Sequence, residues 1–318
     1  MATLRLRSLG EKDWARATVN TGAGSSTGGA AHAPDRALGV AERNSKHIVD
    51  VLLEERAPQL MKSWLWPLLR PPLYALLGYR SARAVADAIA PLGGVAALGY
   101  ARDLLKLEVL AGNVERVPLT GRCLIAANHP TGIADGVAVS EMLKHRRPEH
   151  CFFANADALR VCQGLGEVFI PVEWMAEKRT IEKTKSTLRM ARQALLAERA
   201  VVIFPAGAPA RLMEGRIQEP PWERALVTLA RQLESPIVPV HVSGPFSYYY
   251  HGFSLISREL RNLTLFREFL NKAGKTYRLQ VGAPIATAAL AGAPRQVARR
   301  LREHVTAVLA QDPDRIFT

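Results

Sequence analysis

Residues 122–135 read RCLIAANHPTGIAD, and this stretch decides how the rest of the chain is interpreted. The run 122–127 is short and apolar, with the length of a buried strand. Asn-His-Pro follows directly, and a helix is predicted to begin near Ala134. His129 therefore lies where a strand ends and a loop begins, and Asp135 lies in the first turn of the next helix.

A histidine and an aspartate placed in this way can act as a pair. A carboxylate that accepts a hydrogen bond from one imidazole nitrogen fixes the tautomer and makes the other nitrogen a better base. Asp135 and His129 could then remove the proton from a hydroxyl nucleophile. The alternative is a histidine held for structural reasons only, since a His and an Asp at this spacing are common.

Downstream of this stretch, short apolar runs alternate with helical patterns. Short strands separated by helices predict an α/β fold, in which a mixed sheet is flanked by helices. Binding sites in such sheets form at the carboxyl ends of strands. The predicted strands are 122–127, 150–155, 168–172, 200–204, 236–242 and 277–281, and the predicted helices are 134–144, 181–196 and 222–232.

Two further motifs follow predicted strands. Residues 204–207 read FPAG and precede Arg211; such a Pro-Gly turn can present backbone N–H groups to a phosphate or an oxyanion. A plain tight turn is the alternative. Residues 235–240 read SPIVPV, and Pro239 within this strand predicts an edge position or a bulge.

Composition divides the chain into four segments. Residues 1–43 include a small, polar stretch and are predicted to be a flexible leader. Residues 44–114 have apolar residues at helical spacing, with Trp and Tyr between Leu and flanking Lys or Arg, which is typical of a membrane interface or of ordinary packed helices. Residues 115–290 form the predicted catalytic domain, and 291–318 a C-terminal helix.

The formal net charge is +13, which favours acidic partners: anionic lipid, an acidic carrier protein or nucleic acid. No nucleic-acid motif is recognisable, so nucleic acid is not expected. The basic helix 181–196 is suited to bind an anionic bilayer or an acidic carrier protein. The alternative is that its basic face is only exposed to solvent. Three cysteines without CxxC spacing predict buried, reduced thiols and no metal site. Neither a signal peptide nor a membrane-spanning helix is expected.

The three motifs, taken together and in this order, resemble the lysophospholipid acyltransferase superfamily, also called PlsC-like or glycerol-phosphate acyltransferases. The resemblance covers about 115–285. It implies a glycerol-phosphate acyltransferase-like fold in which His129 and Asp135 are the catalytic pair and no metal takes part. The residues that it implies in substrate binding are Asn128, Gly132, Phe204, Pro205, Gly207, Arg211 and Pro239.

Two departures narrow this resemblance. Five residues separate His129 from Asp135 where the common pattern has four, and Ala206 replaces the common Glu. Both departures resemble the pattern of the branch of hemolysin-like and ornithine-lipid acyltransferases. The upstream segment HIVDVLLEERAP at 47–58 also resembles the sequence of that branch. The acceptor implied is therefore a lyso-ornithine lipid or a lysolipid similar to lysophosphatidic acid.

The function implied is O-acyl transfer from acyl carrier protein or acyl-CoA, as co-substrate, to a lysolipid hydroxyl. No cofactor is expected, and the enzyme would lie peripherally on an anionic membrane, at the cytoplasmic face of the inner membrane. One alternative is a basic protein that binds membrane or nucleic acid without catalysis. Another is a hydrolase that uses the same pair on water, although the sequence has no Gly-x-Ser-x-Gly elbow.

Overall fold

The computed structural model of the chain describes residues 46–173, 178–213, 215–246 and 248–318. Within them a central sheet has the strand order β1-β9-β8-β2-β5-β3-β4, and β6 and β7 form a separate hairpin. The strands are β1 (Glu108–Gly112), β2 (Cys123–Ala127), β3 (Cys151–Asn155), β4 (Phe169–Val172), β5 (Ala200–Ile203), β6 (Arg211–Met213), β7 (Arg216–Gln218), β8 (Ile237–Ser243) and β9 (Thr276–Val281).

The sheet is mixed. Strands β8, β2, β5, β3 and β4 are parallel to one another, whereas β9 is antiparallel to β8 and parallel to β1. Helices connect the parallel strands, as the alternating pattern predicts. The predicted fold class, a mixed α/β sheet flanked by helices with a helical extension before it, is confirmed.

Helices cover the sheet and extend before it. The first five precede β1, and the last two follow β9. They are α1 (Ile48–Arg56), α2 (Pro58–Lys62), α3 (Trp66–Leu77), α4 (Tyr79–Ile89), α5 (Gly94–Leu105), α6 (Ile133–Leu143), α7 (Asp157–Val161), α8 (Ile181–Leu196), α9 (Ala225–Gln232), α10 (Tyr248–Ile256), α11 (Arg258–Leu263), α12 (Leu265–Leu270), α13 (Pro294–Glu303) and α14 (Leu309–Gln311).

Strand β2 lies at the centre of the core, and all its residues are fully buried. Leu124 and Ala126 belong to a cluster with α8, α9 and α13, whereas Cys123, Ile125 and Ala127 pack on the opposite face with α5 and α6. Successive side chains of a strand point to opposite faces, so a strand covered on both sides must be apolar throughout. This requirement explains the unbroken apolar run before Asn128.

The prediction that helix extends to residue 114 is wrong at its end. Helix α5 stops at Leu105, and Glu108–Gly112 form the edge strand β1, which pairs with β9. Val109 and Ala111 of this strand pack against the core while Glu108 and Leu110 are exposed. A strand this short has too few residues to display its period of two beside a long helical pattern.

The prediction that Pro239 marks an edge or a bulge is wrong for the edge and confirmed for the bulge, because the antiparallel pairing shifts by one residue beside Pro239, from Val240 opposite Val281 to Ile237 opposite Ile285. Strand β8 lies between β2 and β9, with an unbroken register along β2. On the β9 side, Ile237 N donates to Ile285 O at 3.0 Å and Gly282 N donates to Pro239 O at 2.9 Å. Because β9 has ended before Gly282, the missing N–H of Pro239 lies at this shift in register and interrupts no regular strand pairing.

Residues His47–Thr318 form one compact unit. The predicted leader 1–43 lies outside the described residues, and the segment 291–318 contains α13 and α14. The three cysteines are buried and free. No helix in the described part of the chain is both long and apolar enough to span a membrane.

Candidate active site

The three sequence motifs lie side by side. Strand β2 pairs with β5 on one side and with β8 on the other, all in parallel. Their carboxyl ends therefore meet at one edge of the sheet. Asn128 and His129 follow β2, the turn at 204–207 follows β5, and Val242 lies near the end of β8. The fold thus gathers residues that are more than a hundred positions apart in sequence.

His129 and Asp135 form a hydrogen-bonded pair. The His129 Nδ1 atom lies 2.9 Å from Asp135 Oδ2, and Asp135 is fully buried. Asp135 also accepts from Thr131 N at 2.8 Å, from Gly132 N at 3.0 Å and from the Thr131 hydroxyl at 2.6 Å. Because both carboxylate oxygens of Asp135 accept hydrogen bonds from these donors, His129 Nδ1 is assigned as the donor of the shared bond. His129 Nε2 is then left as the basic nitrogen.

The loop backbone makes this geometry possible. Gly132 has φ 93° and ψ −139°, which glycine adopts readily, and it caps α6. Asp135 occupies the first turn of that helix, where the positive end of the helix dipole favours a negative charge. The Tyr277 hydroxyl lies 2.6 Å from Thr131 Oγ1, so the loop is also tied to β9. The candidate pair is therefore held from several directions.

The turn after β5 packs against the histidine. The Phe204 ring is stacked on the His129 imidazole, with ring centroids 4.4 Å apart and planes inclined by 25°. Gly207 has φ 66°, and its N–H donates to Phe204 O at 3.0 Å, closing a turn that contains Pro205. The Gly207 amide is therefore not a donor for substrate. The neighbouring N–H groups of Ala206 and Ala208 have no acceptor within the described residues.

Other residues that the sequence assigns to substrate binding have structural contacts. Asn128 Nδ2 donates to Val242 O at 2.8 Å, and Val242 N donates to Asn128 Oδ1 at 2.6 Å. This buried amide joins the ends of β2 and β8. Pro239 lies inside β8, four residues below the end of the strand. A substrate contact for either residue stays a prediction.

Arg211 opens the hairpin β6–β7 and is exposed. The preceding residue, Ala210, donates its N–H to His129 O at 2.8 Å. The structure therefore brings the base of this hairpin to the candidate pair, with the Arg211 side chain in solvent. Its proposed contact with substrate phosphate or oxyanion also stays a prediction.

Glu219 also contacts the candidate pair, although no pattern in the sequence indicates it. Its two carboxylate oxygens each lie 3.1 Å from His129 N, and Oε1 also accepts from Trp222 Nε1 at 3.2 Å. Burial raises the pKa of Glu219 to about 7, while the hydrogen bond from His129 N and the nearby His129 ring act in the opposite direction. A single Glu after a polar hairpin does not indicate a functional residue. The adjoining Pro-Pro-Trp indicates only that the chain makes a buried turn there.

Comparison with known proteins agrees with this geometry. Residues 108–243, which run from β1 to the end of β8 and include all three motifs, match the family model described as Acyltransferase. Residues 108–243 therefore form an acyltransferase domain. The start of the match at residue 108 coincides with β1, so this acyltransferase domain begins at the first strand of the sheet.

The relatives of this acyltransferase are lipid-modifying enzymes. It is 28% identical over 199 residues to a lyso-glycine lipid O-acyltransferase of Phocaeicola vulgatus, covering 60% of this chain and 69% of that protein. It is 25% identical over 198 residues to a lyso-glycine lipid O-acyltransferase of Bacteroides thetaiotaomicron, covering 60% and 71%. Lysolipid O-acylation in lipid synthesis is thereby supported, and the alternative of a binding protein without catalysis is not retained.

A solved structure is also similar to the acyltransferase. The lysophosphatidic acid acyltransferase PlsC of Thermotoga maritima aligns over 85% of this chain and 99% of that chain, with 13% identity and a TM-score of 0.43.

Among the described residues, no three His, Cys, Asp or Glu side chains are grouped so that they could hold a metal ion.

Proposed function

We propose that this enzyme transfers a fatty acyl chain from acyl carrier protein or acyl-CoA to the hydroxyl of a lysolipid with an amino-acid headgroup, such as lyso-ornithine or lyso-glycine lipid. The His129–Asp135 pair at the end of β2 carries the proposal. Two observations favour an amino-acid headgroup over glycerol phosphate. Ala206 stands where the common headgroup motif has Glu, and the similar proteins are named lyso-glycine lipid O-acyltransferases.

The reaction is a direct transfer. His129 Nε2 takes the proton of the lysolipid hydroxyl while that oxygen attacks the thioester carbonyl. The tetrahedral intermediate collapses, the carbon–sulfur bond breaks, and the thiolate leaving group receives a proton from the His129 imidazolium. Asp135 keeps the ring oriented and stabilises its positive charge. The N–H groups of Ala206 and Ala208, in the loop after β5, are the candidate donors to the oxyanion.

The proposal includes peripheral contact with an anionic membrane, at the cytoplasmic face of the inner membrane. Trp64 and Leu68 are 86% and 75% exposed, and Leu65 and Leu69 beside them are also exposed. Trp64 and Leu65 lie in the turn between α2 and α3, and Leu68 and Leu69 lie in α3. Exposed apolar side chains close together in the chain, with basic residues nearby, are typical of a segment that lies in a bilayer interface. A lysolipid acceptor would enter the site from that surface.

The central test is His129→Ala, assayed by incorporation of a labelled acyl chain into lyso-amino-acid lipid. We expect no detectable transfer, because the variant lacks the base. His145→Ala, an exposed histidine, is the matched control and should retain full activity. Product analysis for free fatty acid distinguishes transfer from hydrolysis. Substantial transfer by a folded His129→Ala protein, or free fatty acid as the sole wild-type product, would refute the proposal.

A further inference from the structure

The main chain of His129 is held by residues at both ends of the hairpin β6–β7. Ala210, which precedes β6, donates its N–H to His129 O at 2.8 Å. Glu219, which follows β7, accepts from His129 N, with each carboxylate oxygen at 3.1 Å. Both polar groups of the His129 backbone therefore have partners on this one segment, so the position of the histidine depends on it.

Glu219 is itself fixed by contacts with the core. Trp222 Nε1 donates to Glu219 Oε1 at 3.2 Å, and the Trp222 ring is buried in the same core cluster as α9 and α13. Arg302 Nη1, on α13, donates to the main-chain carbonyl of Glu219 at 3.0 Å. The side chain and the main chain of Glu219 are thus both anchored. Its carboxylate is therefore presented to His129 at a fixed place.

The charge of Glu219 is not needed for these hydrogen bonds. A glutamine oxygen could accept from His129 N and Trp222 Nε1 without the cost of removing a charge from water. Within the described part of the chain, no Lys or Arg side chain forms an ion pair with the Glu219 carboxylate. Burial raises its pKa to about 7, Asp135 adds to this shift, and a positive charge on His129 opposes it. A costly anion whose charged neighbour is the candidate base indicates a functional role.

We infer that Glu219 is a positioning residue for His129, which fixes its main chain and, as an anion, stabilises the imidazolium that forms during acyl transfer. The inference rests on the proposed function, in which His129 Nε2 takes the proton of the lysolipid hydroxyl. Asp135 contacts the ring at Nδ1, whereas Glu219 contacts the backbone, so the two carboxylates act on different parts of the histidine. Protonation of Glu219 would keep an acceptor for the His129 amide and remove the charge.

The test is the ratio of the wild-type kcat to the kcat of Glu219→Gln, measured across pH with a labelled acyl donor and a lysolipid. Glutamine keeps the shape and the acceptor oxygen but cannot ionise. We expect a ratio close to 1 at about pH 5.5, where Glu219 is protonated, and about 10-fold at about pH 8.5, where its charge stabilises the imidazolium. Ionisations common to both proteins cancel in the ratio. KM should change little, because Glu219 acts through His129.

Glu167→Gln is the matched control. Glu167 Oε2 accepts from Gly94 N at 3.0 Å, a contact of the same kind, but Glu167 precedes β4 and so lies at the edge of the sheet opposite to the site. Its kcat should equal that of wild type at every pH.

Trp222→Phe is the second variant, for use if Glu219→Gln does not fold. Phenylalanine keeps an aromatic ring in the core and removes the N–H that donates to Glu219 Oε1. That hydrogen bond lowers the pKa of Glu219, so its loss should raise the pKa. The increase of kcat with pH should then occur at higher pH than in wild type.

The outcomes separate the inference from the proposed function. A kcat ratio that rises through about pH 7, or a pH profile of Trp222→Phe that moves to higher pH, supports the role of Glu219. A ratio that is constant with pH, or a Trp222→Phe profile identical to that of wild type, overturns this role and leaves the acyltransfer proposal standing. A wild-type protein that transfers no acyl chain to any lysolipid overturns the proposed function, and the inference with it.

Discussion

The substitution Asp135→Asn tests the candidate pair without removing its shape. The amide oxygen of Asn can take the place of Asp135 Oδ2 and still accept from His129 Nδ1 and from the amides of Thr131 and Gly132. The new NH2 group would face Thr131 Oγ1, which can accept a hydrogen bond and turn its own proton toward Tyr277. The loop and the histidine tautomer are therefore retained, and only the charge is lost.

The size of the effect follows from that charge. In the transition state His129 becomes an imidazolium whose Nδ1 lies 2.9 Å from Asp135 Oδ2. Two unit charges with centres about 4 Å apart attract by about 4 kcal/mol at an effective dielectric constant of about 20. A loss of about 4 kcal/mol corresponds to about a 10³-fold decrease in rate. We expect this decrease in kcat, with little change in KM, because the buried Asp135 has no surface for substrate.

The assay is steady-state transfer of a labelled acyl chain, with thermal unfolding measured on the same preparations. The chain offers a matched control in His47 and Asp87, whose Nε2 and Oδ1 atoms lie 2.8 Å apart on the surface. Asp87→Asn should leave kcat unchanged. If Asp135→Asn is folded and keeps more than about one tenth of the wild-type kcat, charge stabilisation of the histidine is not the role of Asp135.

Two further predictions concern pH and membranes. Because the pKa of Glu219 is about 7 in the folded protein and that of an unfolded glutamate about 4.3, the wild type loses stability as pH rises through this window. Glu219→Gln lacks this loss, so its Tm relative to wild type should rise between about pH 5 and 8; a constant difference would contradict the burial of that charge. Trp64→Ser combined with Leu68→Ser should weaken binding to anionic vesicles about 10-fold or more. Leu119→Ser, also exposed, should not, and equal effects would argue against the membrane surface.

The central strands could be predicted because burial on both faces leaves a plain signal. Strand β2 is apolar at every position, and the amphipathic pattern of α8 gives its bounds, Ile181–Leu196, as predicted. The ends of these strands then indicate where a site lies, since parallel strands collect their carboxyl ends at one edge. His129 could be placed by that rule alone, and Asp135 by its position in the next helix.

What the sequence does not indicate depends on contacts between distant segments. Glu219 lies 90 positions from His129, and only the folded chain shows that it accepts the His129 amide. Pro239 predicts an edge or a bulge because a proline lacks an N–H, and the choice between them depends on β9, which pairs with β8 and ends just before the shift in register. Lys272 resembles any surface lysine in the sequence, yet it is buried. Local patterns contain no information of this kind.

The extra residue between His129 and Asp135 acquires a physical meaning in the structure. In this loop Thr131 N and Gly132 N both donate to Asp135, and the Thr131 hydroxyl lies beside the hydroxyl of Tyr277 at the start of β9. One short loop therefore contacts both the carboxylate of the candidate pair and β9, so a substitution that displaces the Tyr277 hydroxyl would disturb the loop that orients Asp135.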